Sequence, residues 1–414
     1  MIDLKKRIVI IGAGPAGLAA AEALKEKGYQ NVTVLEKESE AGGKCHTIWY
    51  EGRSYEMGAG VIVANNHLIR KLAAKYGVEV RKIDFSRPIL FWDSVEGRAL
   101  AEPDWREKIA FAREIFLTYR RASKRYAKIA ETGLLDVNTE LAKPFSEWAA
   151  ENKIPLIAKS FGPFFTGFGY GYFEEVPAAY VLKYYSWAML KSFMRKQVYA
   201  FPNGIQSLWL EVAKHHRVLY NVQVEKIERG DFVHVKTNQG EMEFDRLIVA
   251  GTFANALDYL DLDENEKSMI SEFKYYDYRT YACVVKGIPR SDGYVPGNFQ
   301  ASRAGHPIFW YHRYVDSDLY TFYVLADGVM GDEQVLENIR AVVKQLGGKI
   351  EAVEYKSHWK YFPHVTEEKM RAGFFDQFDQ LQGVNQTYFV GESLNFATVE
   401  LSAAQARDIV ERFF

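Results

Sequence analysis

The residues best suited to chemistry stand at the two ends of the chain. Gly12-Ala13-Gly14-Pro15-Ala16-Gly17 sets three glycines in the spacing that lets a backbone turn tightly against a phosphate. In such a turn Gly12 permits the bend, Gly14 leaves room for a pyrophosphate, Ala16 sits among the first free N–H groups of the following helix, and Gly17 allows close helix packing. Glu36 follows at about the 20-residue interval where an acid takes ribose hydroxyls and disfavours a 2′-phosphate. Gly42-Gly43-Lys44 and Gly58-Ala59 are further small-residue turns, and Gly391-Glu392 closes the series. These groups can hold a dinucleotide. A nucleophile or a metal is not indicated: the two cysteines, Cys45 and Cys283, are far apart, and the nine histidines contain no HxxxH pair. Cys45 occupies a turn that requires small residues, where a buried thiol is ordinarily inert, so no catalytic role is assigned to it.

The elements that must position these residues can be read locally. RIVII (7–11) is an apolar run suited to a buried parallel strand, and the alanine-rich segment after the glycines reads as a helix ending at Gly28. Val32 to Leu35 form a second strand leading into Glu36. WYEGRSYEMGA is hairpin-like, Asp245 to Thr252 read as a strand and turn, Thr387 to Glu392 as a strand ending in Gly-acid, and VELSAAQARDIVERFF as a closing helix. With 414 residues the chain exceeds the roughly 250 to 300 at which one core stops growing, so two domains are expected. A formal charge of -2 gives no overall field for nucleic acid, and no nucleic-acid partner is expected. The uncharged stretch 8–21 is short and interrupted by glycines, so no membrane span is expected, and the absence of a cleavable signal pattern points to the cytoplasm.

The middle of the chain differs in character. Residues 104–131 have a helical pattern, with Trp105, Ile109, Ala112, Phe116, Tyr119, Tyr126 and Ile129 as an apolar stripe. From Arg106 to Lys128 eight basic residues stand against Glu107 and Glu114, a local net of +6. That is either a solvated face or a surface for peripheral contact with anionic lipid at the inner face of a membrane. Glycines then alternate with rings in Phe168-Gly169-Tyr170-Gly171-Tyr172-Phe173, so the backbone can turn closely while large side chains line one space. Aromatic residues make up 15% of the chain, consistent with a large apolar cavity.

The GGK turn, the later Gly58-Ala59 turn and the terminal FVGE resemble the amine-oxidase-like superfamily of FAD enzymes. That resemblance implies non-covalent FAD held by Gly12, Gly14, Ala16, Gly17, Glu36, Gly43, Lys44, Gly58, Ala59, Val224, Gly391 and Glu392, with Val224 packing on adenine and Glu392 on the ribityl-phosphate side. Lys44 stands where arginine is commoner, which keeps the charge but loses the planar fork. The series GGKCH (42–46), YEMGA (55–59), FGYGYF (168–173), VPAAYVLKY (176–184), GYVP (293–296), KYFPHV (360–365) and RFF (412–414) is similar over nearly the whole chain to bacterial polyenoic fatty acid isomerases.

The implied fold is α/β. It comprises a discontinuous Rossmann-like FAD-binding domain (1–90, 197–270 and 375–414), a helical cap and substrate-tunnel region (91–196), and a mixed α+β substrate domain whose sheet spans 271–374. The implied reaction moves a hydride from the methylene between two double bonds to flavin N5 and back to a terminal carbon of the same unit, giving a conjugated acid. The implied substrate is a free polyunsaturated fatty acid such as linoleic acid. Arg87 would anchor its carboxylate, Phe193 would stand at the tunnel entrance, and Phe168 and Tyr170 would line the tunnel. No metal, second dinucleotide or protein partner is required. The rivals are a flavin amine oxidase or desaturase with net oxidation, and a non-catalytic FAD-binding protein associated with membrane.

Overall fold

The computed structural model describes residues 3–414. Its first layer is a parallel sheet of five strands in the order Arg217–Leu219, Asn31–Leu35, Arg7–Ile11, Arg246–Val249, Thr387–Phe389. Every pairing is parallel. Strands this short and this apolar are stable only when both faces are covered. Helices Pro15–Glu26 and Val399–Phe413 pack together, and their apolar residues share one core with the outward residues of the sheet. Three strands that are neighbours in space are thus about 135 to 375 residues apart in sequence, with the N-terminal strand Arg7–Ile11 at the centre of the sheet and Thr387–Phe389 at one edge.

The second layer is a seven-stranded sheet in the order Lys349–His364, Lys274–Lys286, Leu319–Ala326, Pro307–Tyr311, Gly293–Tyr294, Leu90–Asp93, Arg98–Ala99. Side chains alternate across a strand. On one face Tyr281, Cys283, Trp310, Phe322 and Val324 pack against helix Asp332–Gln345. The opposite face carries tyrosine and phenylalanine and is covered by helices from the 105–194 region. Helical structure in that region begins at Trp105. Residues 91–99, grouped in the sequence with the helical cap, lie in strands Leu90–Asp93 and Arg98–Ala99 at one end of this sheet, where Leu90 and Phe91 register with Gly293 and Tyr294.

The basic segment is helical as expected, but its stripe is not uniformly internal. A capping box between Asp104 and Glu107 starts helix Trp105–Arg113, a π-helical turn follows at Glu114–Tyr119, and helix Arg120–Arg125 completes it. A π turn holds one residue more than an α turn and so rotates everything after it. Ile115, Tyr119, Ala122, Tyr126 and Ile129 are buried, whereas Trp105, Ile109 and Phe116 of the expected stripe are exposed. Among the described residues no helix is long and apolar enough to cross a membrane.

Candidate active site

The glycine turn is built as its spacing requires. Gly12 has φ +103°, and a Cβ on Gly17 would lie 1.9 Å from the Gly12 carbonyl oxygen, so neither position accepts a side chain. Gly14 is the N-cap of helix Pro15–Glu26 and offers no side-chain acceptor to the N–H groups behind it. Those donors are left for an anion. Gly43 lies opposite: a Cβ on Gly14 would meet its Cα at 3.8 Å. Glu36 follows its strand into the same place, its carboxylate accepting from Ala13 N at 2.7 Å and Glu38 N at 3.0 Å. The chain before Val224 runs beside it, with Val222 N donating to Glu36 O at 2.9 Å, and Val224 is buried at the head of strand Val224–Arg229.

The remaining turns converge on the other side. Gly391 has φ +113°, and a Cβ there would come within 3.1 Å of Ala16 Cβ. Lys44 and Glu392, 348 residues apart, form an ion pair, and Lys44 Nζ also donates to Lys360 O at 2.6 Å. Ala59 N donates to Lys44 O at 3.2 Å, and a Cβ on Gly58 would collide with that same carbonyl at 2.0 Å. The Met57 carbonyl is held by Thr280 Oγ1 at 3.1 Å and Trp359 Nε1 at 3.0 Å, and the Glu56 carbonyl accepts from Tyr323 Oη at 3.0 Å. The second sheet thereby fixes the turn that the first sheet's cofactor loops rest on. Capping donors without partners among the described residues, a side-chain-free cradle and an acid after the second strand fit FAD, which Gly12, Gly14, Gly17 and Glu36 would hold. Burial raises the Cys45 thiol far above its ordinary range, which leaves it a small neutral filler.

From Lys44 a line of rings leads away. Its Nζ lies 5.4 Å from the Tyr361 ring centroid. Tyr361 stacks on Tyr278 at 4.9 Å, Tyr278 on Tyr323 at 5.9 Å, Tyr323 on Phe309 at 5.2 Å, Phe309 on Tyr294 at 4.6 Å, and Tyr294 on Phe91 at 5.7 Å. Each ring comes from a different strand, and the six strands are consecutive in the sheet. Tyr323, Phe309, Tyr294 and Phe91 stand directly opposite one another in the strand register. The line ends at Phe91, which is 36% exposed.

The glycine-ring segment is the facing wall. A Cβ on Gly167 would strike the Tyr294 ring at 2.8 Å, on Gly169 the Tyr278 ring at 2.7 Å, and on Gly171 the Tyr276 ring at 2.3 Å. Gly169 and Gly171 also have φ near +85°. The intervening rings continue the wall: Phe164 meets Tyr294 at 5.9 Å, Phe168 meets Phe309 at 6.0 Å, and Tyr170 stacks on Tyr361 at 5.8 Å. Phe193 lies 5.4 Å from Phe164, half-buried near the outer end. Burial holds the phenols of Tyr278, Tyr294, Tyr323 and Tyr361 well above their ordinary pKa, so the walls are uncharged.

Arg87 and Phe193 are held by different partners, Arg87 by backbone carbonyls and Phe193 by Phe164. The Arg87 guanidinium donates to His312 O at 3.0 Å and acts electrostatically on Asp292 and Tyr311. Tyr311 in turn stacks on Phe309 at 6.3 Å, so Arg87 borders the ring line from the side. Sequence reasoning did not find the sheet's own rings as site residues. Their signal was the aromatic recurrence in YYDYRTY, IFWY and LYTFY.

The chain belongs to the flavin-containing amine oxidoreductase family, whose sequence model matches residues 15–408. Membership implies a flavin cofactor and an oxidoreductase-type enzyme. Among solved structures, the CLA-producing fatty acid isomerase from P. acnes aligns over 100% of both chains with a TM-score of 0.91 and 31% identity. An engineered putrescine oxidase aligns over 99% of this chain and 98% of its own with a TM-score of 0.77 and 16% identity, a likeness of fold alone. An uncharacterised protein of Acanthamoeba polyphaga mimivirus is 24% identical over 99% of this chain and 94% of its own length.

Proposed function

We propose that the protein is an FAD-dependent isomerase that converts a free polyunsaturated fatty acid of the linoleic type into a conjugated isomer. The observation that carries this reading is the uninterrupted line of six stacked rings from exposed Phe91 to the Lys44–Glu392 pair. An amine would have to be stripped of its charge or paired to lie against such an apolar surface, whereas an acyl chain gains roughly 0.8 kcal/mol for each methylene removed from water. The likeness to the P. acnes isomerase over both whole chains supports the same substrate class.

When bound, the flavin supplies a hydride acceptor and donor at N5, so that the hydrogen lost from the methylene between two double bonds returns to a terminal carbon and no net oxidation occurs. The chain's own residues do the rest. Tyr361, Tyr278 and Tyr170 present neutral faces near the flavin end, where each can stabilise a transient pentadienyl cation by about 0.5 to 2 kcal/mol when water is excluded. The Lys44–Glu392 pair is internally neutralised and adds no net charge that would oppose that cation. Arg87 has guanidinium donors left over after its two backbone carbonyls and takes the carboxylate. FAD is held without a covalent bond, since Gln386, Thr387, Tyr388 and Asn395 surround the closing turn in place of a suitably placed Cys or His.

Anaerobic incubation with linoleic acid and chromatographic identification of the products tests the proposal. A conjugated acid formed in many turnovers per flavin is expected. Product that appears only with oxygen, or not at all with any polyunsaturated acid, would show the reading to be wrong. Acid precipitation should leave the yellow colour in solution; a yellow pellet would mean covalent attachment.

A further inference from the structure

The π-helical turn at Glu114–Tyr119 decides what the basic segment shows to water. Ile115 and Tyr119 point inward within it, while Phe116 is 49% and Leu117 50% exposed, as are Trp105 (65%) and Ile109 (54%) of the preceding helix. Helix Trp187–Met194 extends this apolar face, since Trp187 packs edge-on against Phe116 at 6.0 Å and Met194 is 49% exposed. Cations surround it. Arg106, Arg113, Arg120, Arg121 and Lys124 are all exposed, and none has a carboxylate within ion-pair distance among the described residues. Arg106 and Arg120 lie instead over the Trp105 and Trp187 rings, at 5.3 and 5.5 Å.

A solvated helix face places acids among its bases and keeps tryptophan and isoleucine inside. A nucleic acid would use the cations but leave the apolar side chains in water. One surface satisfies both sets at once, with anionic headgroups for the guanidinium and ammonium groups and an acyl boundary for the rings and aliphatic chains. We propose that the face formed by residues 105–125 and the end of helix Trp187–Met194 docks the protein on an anionic lipid bilayer. The same helix carries Phe193, whose ring meets Phe164 and through it Tyr294 of the ring line. Docking therefore sets the outer end of the ring line towards the medium in which free fatty acids concentrate. This goes beyond the isomerase reading and does not depend on it.

The test is sedimentation of the flavin-loaded full chain with phosphatidylcholine vesicles, with and without phosphatidylglycerol. Binding to the anionic vesicles should exceed binding to the neutral ones and fall as salt is raised. The variant Arg120→Glu/Arg121→Glu/Lys124→Glu should bind about a hundredfold less tightly, while Lys226→Glu/Lys236→Glu on the separate three-stranded sheet should bind as the parent does. Trp105→Ser/Phe116→Ser should lose about tenfold and keep its salt dependence. Thermal unfolding and flavin absorbance check that each variant is folded; if the charge variant is not, the Trp105/Phe116 variant decides alone. No binding to anionic vesicles, equal binding to neutral ones, equal loss in the control variant, or unchanged binding of Trp105→Ser/Phe116→Ser would each overturn the proposal. Turnover of a dissolved, non-micellar acid reads the isomerase proposal separately and should be the same in all four proteins.

Discussion

Gly14 and Gly17 are three residues apart and share a turn, yet their substitution should have opposite consequences. A Cβ at Gly14 meets nothing of the chain closer than 3.8 Å, and its φ of -81° suits any residue, so Gly14→Val should fold and be colourless because the pyrophosphate's room is lost. At Gly17 the added atoms overlap the Gly12 carbonyl, and Gly17→Val should lose about 1 to 3 kcal/mol or more of stability before any cofactor is considered. Thermal unfolding beside flavin absorbance separates the two, and a fully flavin-loaded Gly14→Val would remove the pyrophosphate argument. Lys183 is a second residue-scale case. It is 2% exposed and donates to the carbonyls of Ile129 (3.1 Å), Glu131 (2.7 Å) and Gly133 (2.6 Å), tying the end of the basic segment to helix Ala178–Tyr184. Burial pulls its pKa down to about 7. The unfolded chain then binds more protons than the folded one between about pH 7 and the ordinary lysine value near 10.4, so the contribution of this group makes stability rise with pH across that window. Lys183→Met should flatten that rise in urea unfolding and, by orphaning buried carbonyls, lower stability by about 1 to 3 kcal/mol at neutral pH. An unaltered pH profile would mean that the ammonium is not the titrating group.

At the scale of elements, the glycine-ring segment and the sheet beneath it act as a unit. Gly169→Ala would combine a left-handed backbone, costing about 1 to 2 kcal/mol, with a Cβ driven into the Tyr278 ring. Gly97→Ala supplies the control, because φ there is +65° but no atom lies within 4 Å. Both should lose similar stability from the backbone, and only Gly169→Ala should slow turnover or change the product pattern while retaining flavin; equal kinetics in the two would detach the ring line from substrate binding. The sequence made these elements unequally legible. Strand, glycine turn, helix, strand and Glu36 lie within about 30 residues and are specified by local periods, so they could be read directly. The ring line draws on residues 91, 278, 294, 309, 323 and 361. Which of them share a face depends on the register of six strands, with irregularities such as the one between Pro307 and Phe309, and no local period encodes that. The stripe from Trp105 was misread for a related reason. A regular 3.6-residue period assigns Phe116 to the core, and the π turn moves Ile115 there instead.

At the scale of the whole molecule, the two sheets share one core that runs from Val9 and Phe389 to Tyr278 and Phe309, their outer faces pack separately, and the Glu56–Ala59 turn fastens the sheet with the glycine turn to the sheet with the uncharged aromatic face. That arrangement limits the chemistry available along the wall. Its tyrosines remain protonated at any working pH, and His364, which stacks on Tyr276 and Phe362, is kept neutral by burial, its pKa lowered to about 4. Among the wall's tyrosines and His364 there is then no strong base for a methylene proton at neutral pH, which supports the proposal that the hydrogen leaves with its electron pair. A linoleic acid deuterated at the methylene between its double bonds should give a conjugated product that keeps the label on a new carbon, with no oxygen consumed and no nicotinamide added. Arg87→Ala and the methyl ester should both slow this reaction by loosening the same end of the chain, without altering where the label goes. An oxidase would show hydrogen peroxide in proportion to product, and a proton-transfer isomerase would exchange the label with water. Label found in the solvent would sink the hydride-return route even if the product were the expected conjugated acid, because the transferred hydrogen would then have passed through a group that exchanges with water.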